Sequence, residues 1–410
     1  MSMKVTYKKQ FIFYILLILI LIFAIEGILR IYFYFDVECA FETTDVYTEL
    51  DFFQKKQICH DFYYVDSKNP KDSTSSYIPN QHSPTININN FGFRGSDISY
   101  EKPIDTFRIF VVGGSTTYGA GASSDSTTIA GYLQEYFDQA NLSKKIEVIN
   151  AGKSSFFSLT EVQLIKTKLL EFDPDLFIVY DGWNDIDHTI QVHLGKKYQI
   201  SFVDELVEKS SEIFPEYRTM KILRHIQAQI KTETTATETS TPFQFNSTSI
   251  PQKLHLWEER WRDICILGNN EGFGTIITLQ PLAGSGNKIL SEQERISTDK
   301  RIAHYISYYG QYADVLKKLE KDCTGVKDLR FAADSYSHTI FYDGGHVVDE
   351  GNRVIAQEMY QAVLPIVEQR IFINEWRHTL KLEIVRSTIN TLNLNFSSTF
   401  WIWNIFIQTV

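Results

Sequence analysis

Cysteine is scarce, four residues in 410, and no two of them stand in a CxxC or a Cys/His spacing. A zinc ribbon or finger is thereby excluded. Cationic residues are outnumbered, with 40 Lys and Arg against 50 Asp and Glu and a formal net charge of -10. No basic run with interleaved aromatics occurs. Phosphate backbones are gripped by clustered Lys and Arg, so a nucleic-acid partner is excluded as well. No segment repeats at a fixed period, which rules against a solenoid or propeller. The stretch "VVGGSTTYGAG" (111–121) is rich in glycine yet lacks three familiar signatures. It has no Lys-Ser/Thr pair to make a P-loop. Gly119 and Gly121 are followed by Ser124 where a dinucleotide fingerprint needs its third glycine. Thr117 stands where the G-x-S-x-G elbow needs its last one.

What is present begins with one long apolar run. "FIFYILLILILIFAIEGILRIYFYF" (11–35) carries no charge before Glu26. A spanning helix needs about 20 such residues. Glu26 and Arg30 stand one helical turn apart, at a spacing that lets them pair near one interface, and Tyr32, Phe33, Tyr34 and Phe35 resemble an interfacial belt. Lys4, Lys8 and Lys9 precede the run, whereas Asp36 and Glu38 follow it. The positive-inside rule then predicts a signal anchor: residues 1–10 cytoplasmic, 11–35 in the cell membrane as a single pass, and the bulk outside. The alternative, a cleaved signal peptide, calls for a shorter apolar core and a small-residue cleavage site, and none precedes the acidic flank. Cys39, Cys59, Cys265 and Cys323 suit that compartment as two disulfides, with three pairings open.

Residues 36–104 are irregular and aromatic, with Pro70, Pro79, Pro84 and Pro103, and read as a stalk or lead-in that packs on the main domain. From about 105 strands alternate with helices. "FRIFVV" (107–112), "IEVIN" (146–150), the strand within "DPDLFIVYDG" (173–182) and "GTIITLQP" (274–281) are the strands, with a short one around Leu329–Phe331. Between them, Ile129, Leu133, Tyr136 and Phe137, then Val162, Ile165, Leu169 and Phe172, recur at helical spacing. Helices carrying Trp257, Trp261 and Ile264, and Tyr305, Tyr309, Tyr312 and Leu316, follow. A last core helix covers about 351–367. Such alternation predicts an α/β fold with a parallel sheet covered on both faces. Residues 231–249, "KTETTATETSTPFQFNSTS", bury too little apolar surface to offset their ordering entropy and read as a flexible insertion. Residues 368–410 form a C-terminal extension whose apolar end "FWIWNIFIQTV" is too short to span a bilayer.

Four blocks carry chemistry. Ser115 lies at the C-terminal end of the first strand, where open parallel sheets place their ligands. The second strand ends in Asn150-Ala151-Gly152, the third in Asp181-Gly182-Trp183-Asn184-Asp185, and Asp343-Gly344-Gly345-His346 comes near the end of the domain. In the order "GGSTTYG", "NAGKSS", "GWND", "DGGH", over residues 105–367, the chain resembles the SGNH hydrolases, the GDSL-like lipases and acylhydrolases. The resemblance implies a three-layer α/β/α fold with a parallel flavodoxin-like sheet. It implies Ser115 as nucleophile, His346 as general base and Asp343 as its orienting partner. The oxyanion would be held by the N–H groups of Ser115 and Gly152 and by the Asn184 side chain. No metal and no cofactor are implied. One departure stands out: Gly114 occupies the place where the family usually has Asp, which marks a divergent branch.

The chemistry of these residue types agrees. A serine hydroxyl attacks only once a base accepts its proton, and an oxyanion needs donors placed in advance. Other histidines weigh against His346: His338 is the main rival for the base, and His188 follows the Asn184 block closely enough to line a cleft. The helix "GNRVIAQEMY" after His346 favours His346. Asp185 reads as a local cap, Trp183 as a pocket wall or a structural aromatic, and "NNFGFRG" (89–95) as packing against the domain. Asn141, Asn246 and Asn395 open N-x-S/T sequons. The expected activity is ester hydrolysis on an O-acylated envelope glycan or lipid, with O-acyl transfer to a surface polysaccharide as the alternative. A non-catalytic glycan-binding module on the same fold is the reading from a different class.

Overall fold

The computed structural model describes residues 7–36, 38–67, 76–187, 250–298 and 300–391. The insertion at 231–249, His188, the sequons at Asn246 and Asn395 and the apolar end of the tail lie outside the described residues. The chain opens with α1 (Tyr7–Asp36), of which Tyr7–Leu29 is apolar over 23 residues and long enough to cross a bilayer. The lead-in holds a helix α2 (Phe52–Ser67) and a two-stranded antiparallel pair, β1 (Gln81–His82) with β2 (Asn87–Ile88).

Five parallel strands form the main sheet. β3 (Thr106–Gly113), β4 (Lys145–Asn150), β5 (Leu176–Asp181), β6 (Gly274–Leu279) and β7 (Gly325–Asp328) are ordered β4-β3-β5-β6-β7. In sequence rank this is the flavodoxin-like order 2-1-3-4-5, and its reversal lies beside β3. Every residue of β3, β5 and β6 is buried, as expected of strands covered on both faces. Phe107, Ile109 and Val111 of β3 pack with Ile129, Leu133 and Phe137 of α4 (Ile129–Gln139) and with Ile355, Met359 and Val363 of the C-terminal helix. Phe110 and Val112 face the other way, toward α5 (Ser158–Thr167), α7 (Ile250–Glu271) and the later α9 (Lys300–Leu319). Alternate residues of one strand thus feed two cores, and the result is a three-layer α/β/α fold.

Three expectations shift in place. The last strand is Gly325–Asp328, not Leu329–Phe331. Leu329 is fully buried, but it plugs the core just after the strand ends, while the edge strand itself is only half-buried. The spacing Val162 to Phe172 also does not belong to a single helix. α5 stops at Thr167, and Leu169–Phe172 forms one 3-10 turn that ends at Asp173 in the left-handed region. The C-terminal helix α10 (Asp349–Thr391) outruns the predicted 351–367. The disulfides are Cys39–Cys59 and Cys265–Cys323. The first closes a loop within the lead-in, and the second ties α7 to the turn before β7.

Candidate active site

β3 ends at Gly113, and one residue later the chain enters the single-turn helix α3 (Ser115–Tyr118). Ser115 is therefore the second residue past β3, at the point where the strand order reverses. A Cβ on Gly114 would lie 2.5 Å from Asn184 Nδ2 and 3.0 Å from the Phe156 carbonyl oxygen. A larger residue would push the Asn184 amide back from this position, which is a physical reason for Gly where the resemblance expects Asp.

The remaining site residues arrive on a loop near the other end of the domain. Ser115 Oγ stands 2.7 Å from His346 Nε2, and His346 Nδ1 stands 2.8 Å from Asp343 Oδ2. The backbone N–H groups of Gly345 and His346 donate to Asp343 Oδ1 at 3.0 and 2.7 Å, so the carboxylate folds the loop back on itself. Burial by itself pushes the Asp343 carboxyl up. The charge of His346, its ring hydrogen bond and the two backbone donors outweigh burial and hold Asp343 below the usual carboxylate range. Asp343 thus stays ionised beside an imidazole. Tyr342 stacks on the His346 ring with centroids 5.5 Å apart and planes 10° from parallel, and Trp183 meets it edge-on at 5.0 Å. The ring is clamped between them. His338 is exposed and packs on Tyr336, so it is not the partner of Ser115.

The donors expected at the oxyanion are placed differently from one another. The N–H of Ser115 opens α3 and has no acceptor within its own helix. Asn184, in α6 (Trp183–Asp187), spends one amide hydrogen on the Phe156 carbonyl at 2.6 Å and keeps a second. The N–H of Gly152 donates to Asn150 Oδ1 at 3.0 Å and is already engaged. Asn150 in turn donates to the Thr117 carbonyl at 2.9 Å, which ties the end of β4 to the serine's helix.

Several supporting residues escape a reading by motif. Arg94, within "NNFGFRG", is buried. Its Nη1 donates to the carbonyls of Tyr118 at 3.1 Å and Gly119 at 2.8 Å, its Nε pairs with Asp125, and its guanidinium lies over the Tyr118 ring. The stretch therefore secures the C-terminal end of α3, while Phe93 fills the core against Phe110 and Phe172. A run of Asn, Gly and Arg before a first strand is the signal that was there to find. Glu294 of α8 (Glu292–Ser297) accepts from the backbone of Ile340 and Phe341 and from Lys288, steadying the loop toward Asp343. Asp185, expected as a local cap, instead accepts from the backbone N–H of Ser158 at the start of α5, 27 positions away. Asp181 accepts from the indoles of Trp257 and Trp261. Among the described residues, the one Cys/Glu grouping tight enough for a metal is Cys39, Glu42 and Cys59, and its two sulfurs are bonded to each other.

The four blocks come together at the strand ends of a 2-1-3-4-5 parallel sheet. The fold is a three-layer α/β/α with a flavodoxin-like sheet. No family model matches the sequence, and no curated protein matches it. Among solved structures the chain is similar to the acetyl xylan esterase AlAXEase, at 15% identity and TM-score 0.38, over 63% of this chain and 100% of that one. It is similar to the acetylxylan esterase Axe2 from Geobacillus stearothermophilus, at 13% identity and TM-score 0.37, over 63% and 94%. A lipolytic protein of the G-D-S-L family from Desulfitobacterium hafniense DCB-2 matches at 12% identity and TM-score 0.35, over 62% and 98%. These are loose likenesses, and the site stands on its own distances.

Proposed function

We propose that this chain is a serine-dependent ester hydrolase that acts on an O-acylated glycan or lipid of the cell envelope. In this reading α1 tethers it with the N-terminus in the cytoplasm and the catalytic domain outside. The observation that carries the chemistry is the unbroken chain from Ser115 Oγ through His346 to Asp343, at 2.7 and 2.8 Å. His346 Nε2 takes the hydroxyl proton as Ser115 Oγ bonds to the ester carbonyl carbon. Asp343 holds the imidazole in the tautomer that leaves Nε2 free, and it stabilises the imidazolium that forms. The carbonyl oxygen becomes an oxyanion facing the Ser115 N–H and the second amide hydrogen of Asn184. Gly152 adds its N–H when Asn150 Oδ1 releases it. Collapse breaks the bond to the alcohol, whose oxygen receives the proton from His346. Water then repeats the sequence on the acyl-serine and frees the acid.

The envelope substrate is inferred from the tether alone. A fluorophosphonate probe tests the chemistry, since it phosphonylates only an activated serine. Wild-type protein should be labelled on the peptide holding Ser115, and Ser115→Ala should not be labelled. Adding His346→Ala to Ser115→Ala should cost little more, because residues that act as a unit lose activity non-additively. Wild-type turnover in Ser115→Ala on every ester cleaved would sink the proposal.

A further inference from the structure

The lead-in is more than a spacer. Its aromatic residues reach the two loops that carry Ser115 and His346. Phe41, Val46, Tyr47, Ile58 and Cys59 form one buried cluster with Tyr342 and Val348 of the histidine loop. The Phe41 ring meets Tyr342 edge-on at 5.5 Å, on a ring that itself stacks on His346. The Tyr47 hydroxyl lies 2.6 Å from the Gly121 carbonyl oxygen and 2.8 Å from Asp349 Oδ1. Gly121 belongs to the loop that leaves α3, and Asp349 opens α10, three residues after His346. Burial, and then the charge of Asp349, push the Tyr47 phenol far up, so Tyr47 remains a hydroxyl whose one hydrogen serves both acceptors.

Asp349 also reaches the serine loop directly. The N–H of Ser123 donates to its Oδ1 at 2.8 Å, and the Ser123 hydroxyl donates to Oδ2. The Tyr342 hydroxyl donates to the Ala120 carbonyl at 3.1 Å. Gly121 makes the close packing possible. Its φ of +88° is left-handed, and a Cβ there would come within 3.1 Å of both the Phe41 and the Tyr342 rings. The contact between the two loops thus has two members from the lead-in, the Phe41 ring and Tyr47, and Tyr47 is the one that hydrogen-bonds to both. That residue is held in its own loop by Cys39–Cys59 and by the ion pair of Lys56 with Glu42 at 2.9 Å.

We infer that Tyr47 is a positioning residue of the active site, clasping the serine loop to the histidine loop so that Ser115 Oγ and His346 Nε2 stay at reacting distance. The inference rests on the hydrolase reading. A hydrogen bond of about 2.7 Å is sensitive to sub-ångström drift between the two loops, and geometry sets the rate of proton transfer. Nothing in this role touches substrate. Loss of the clasp should therefore slow the chemical step and leave substrate binding alone.

The test uses the full-length chain in detergent or membranes. It measures the rate constant of fluorophosphonate labelling, kcat and KM on a small aryl ester, and Tm. Tyr47→Phe keeps the ring and its packing and removes only the hydroxyl. Labelling and kcat should fall about tenfold, KM should change less than twofold, and Tm should move by about 2–4 °C at most. Asp349→Ala, which also takes the acceptor from Ser123, should cost at least as much, and Asp349→Asn, which retains an acceptor at Oδ1, should recover most of the lost rate. The double variant Tyr47→Phe/Asp349→Ala should be no slower than Asp349→Ala alone. Labelling of Tyr47→Phe at the wild-type rate overturns the clasp, as do losses that add in the double variant or that follow the unfolded fraction. Failure of wild-type protein to label at all is a different outcome, and it removes the hydrolase reading on which the clasp depends.

Discussion

Asp343 and Asp181 are both acids in loops or strand ends near the proposed site, and their surroundings drive them in opposite directions. Asp343 is penalised by burial, yet the adjacent His346 and two backbone N–H groups keep it ionised. Asp181 is penalised by burial too, and the charge of Asp185 adds to that penalty. Its bonds from the Gly182 backbone and the Trp257 indole are too few, and its pKa is raised well above the usual value. Glu161 goes further. It is fully buried, Asp181 and Asp185 repel its charge, and neither carboxyl oxygen has a hydrogen-bond partner among the described residues. The contrast teaches that burial alone does not make a working carboxylate. A cation-forming partner and converging donors hold a buried carboxyl down, as they do for Asp343 and Glu294, and without them burial pushes Asp181 and Glu161 up.

The largest expected effect comes from exchanging the charged member. Asp343→Asn should lower kcat by about 10⁴, because the imidazole loses the partner that selects its tautomer. Steady-state kinetics with the fold checked by circular dichroism measures it, and a drop below tenfold would place Asp343 with the structural acids. Asn184→Ala removes a donor rather than a charge and should cost about 10²–10³ in kcat, as one preorganised donor does. An unchanged kcat would leave the oxyanion to backbone groups alone.

On the other side of the comparison the readout is stability. The raised pKa of Glu161 means the folded state keeps a proton that the unfolded chain releases. That contribution to stability is whole below the unfolded carboxyl value of about 4.3 and is lost as pH rises through the folded value. Glu161→Gln should flatten this dependence and raise Tm at pH 8 by about 2–4 °C, the change that ~1 kcal/mol produces in a domain this large. Thermal melts from pH 4 to pH 9 decide it, and a fall in Tm at pH 8 would reveal a partner for the charge. Asp343 has the opposite sign, since its lowered pKa stabilises above the unfolded value of about 3.9 and that stability is lost as pH falls through the folded value. The smallest effect is expected of Asp181→Asn. The amide oxygen can still accept the Trp257 indole, so kcat should stay within about threefold. A larger loss would show that the charge at position 181 acts on the Asn184 turn.

The sheet was readable along the chain because its strands are short, apolar and bounded by turns. "FRIFVV", "IEVIN" and "GTIITLQP" fall on β3, β4 and β6 with their ends moved by one or two residues. The edge strand β7 was misplaced by a few residues because Leu329 carries the apolar signal beyond the ladder. Ser115, Asn184, Asp343 and His346 could be singled out as types of residue at strand ends and in one late loop. Their convergence could not, since 231 residues separate Ser115 from His346 and only the stacking of strands brings them together.

Composition, periodicity and local spacing determine what depends on near neighbours: a bilayer-length apolar helix, alternating strands and helices, and an Asp three residues before a His. Tertiary structure alone decided which cysteines pair and that Asn150 occupies the Gly152 N–H, and it brought His346, already favoured over His338 by the helix that follows it, to Ser115. It also decided that Arg94, within "NNFGFRG", and Tyr47, outside every motif, brace the serine's helix and loop. The physical reason is distance along the chain. A hydrogen bond between residues 74 or 231 positions apart has no local propensity to announce it, and it forms only after the packing of the two cores has placed its ends.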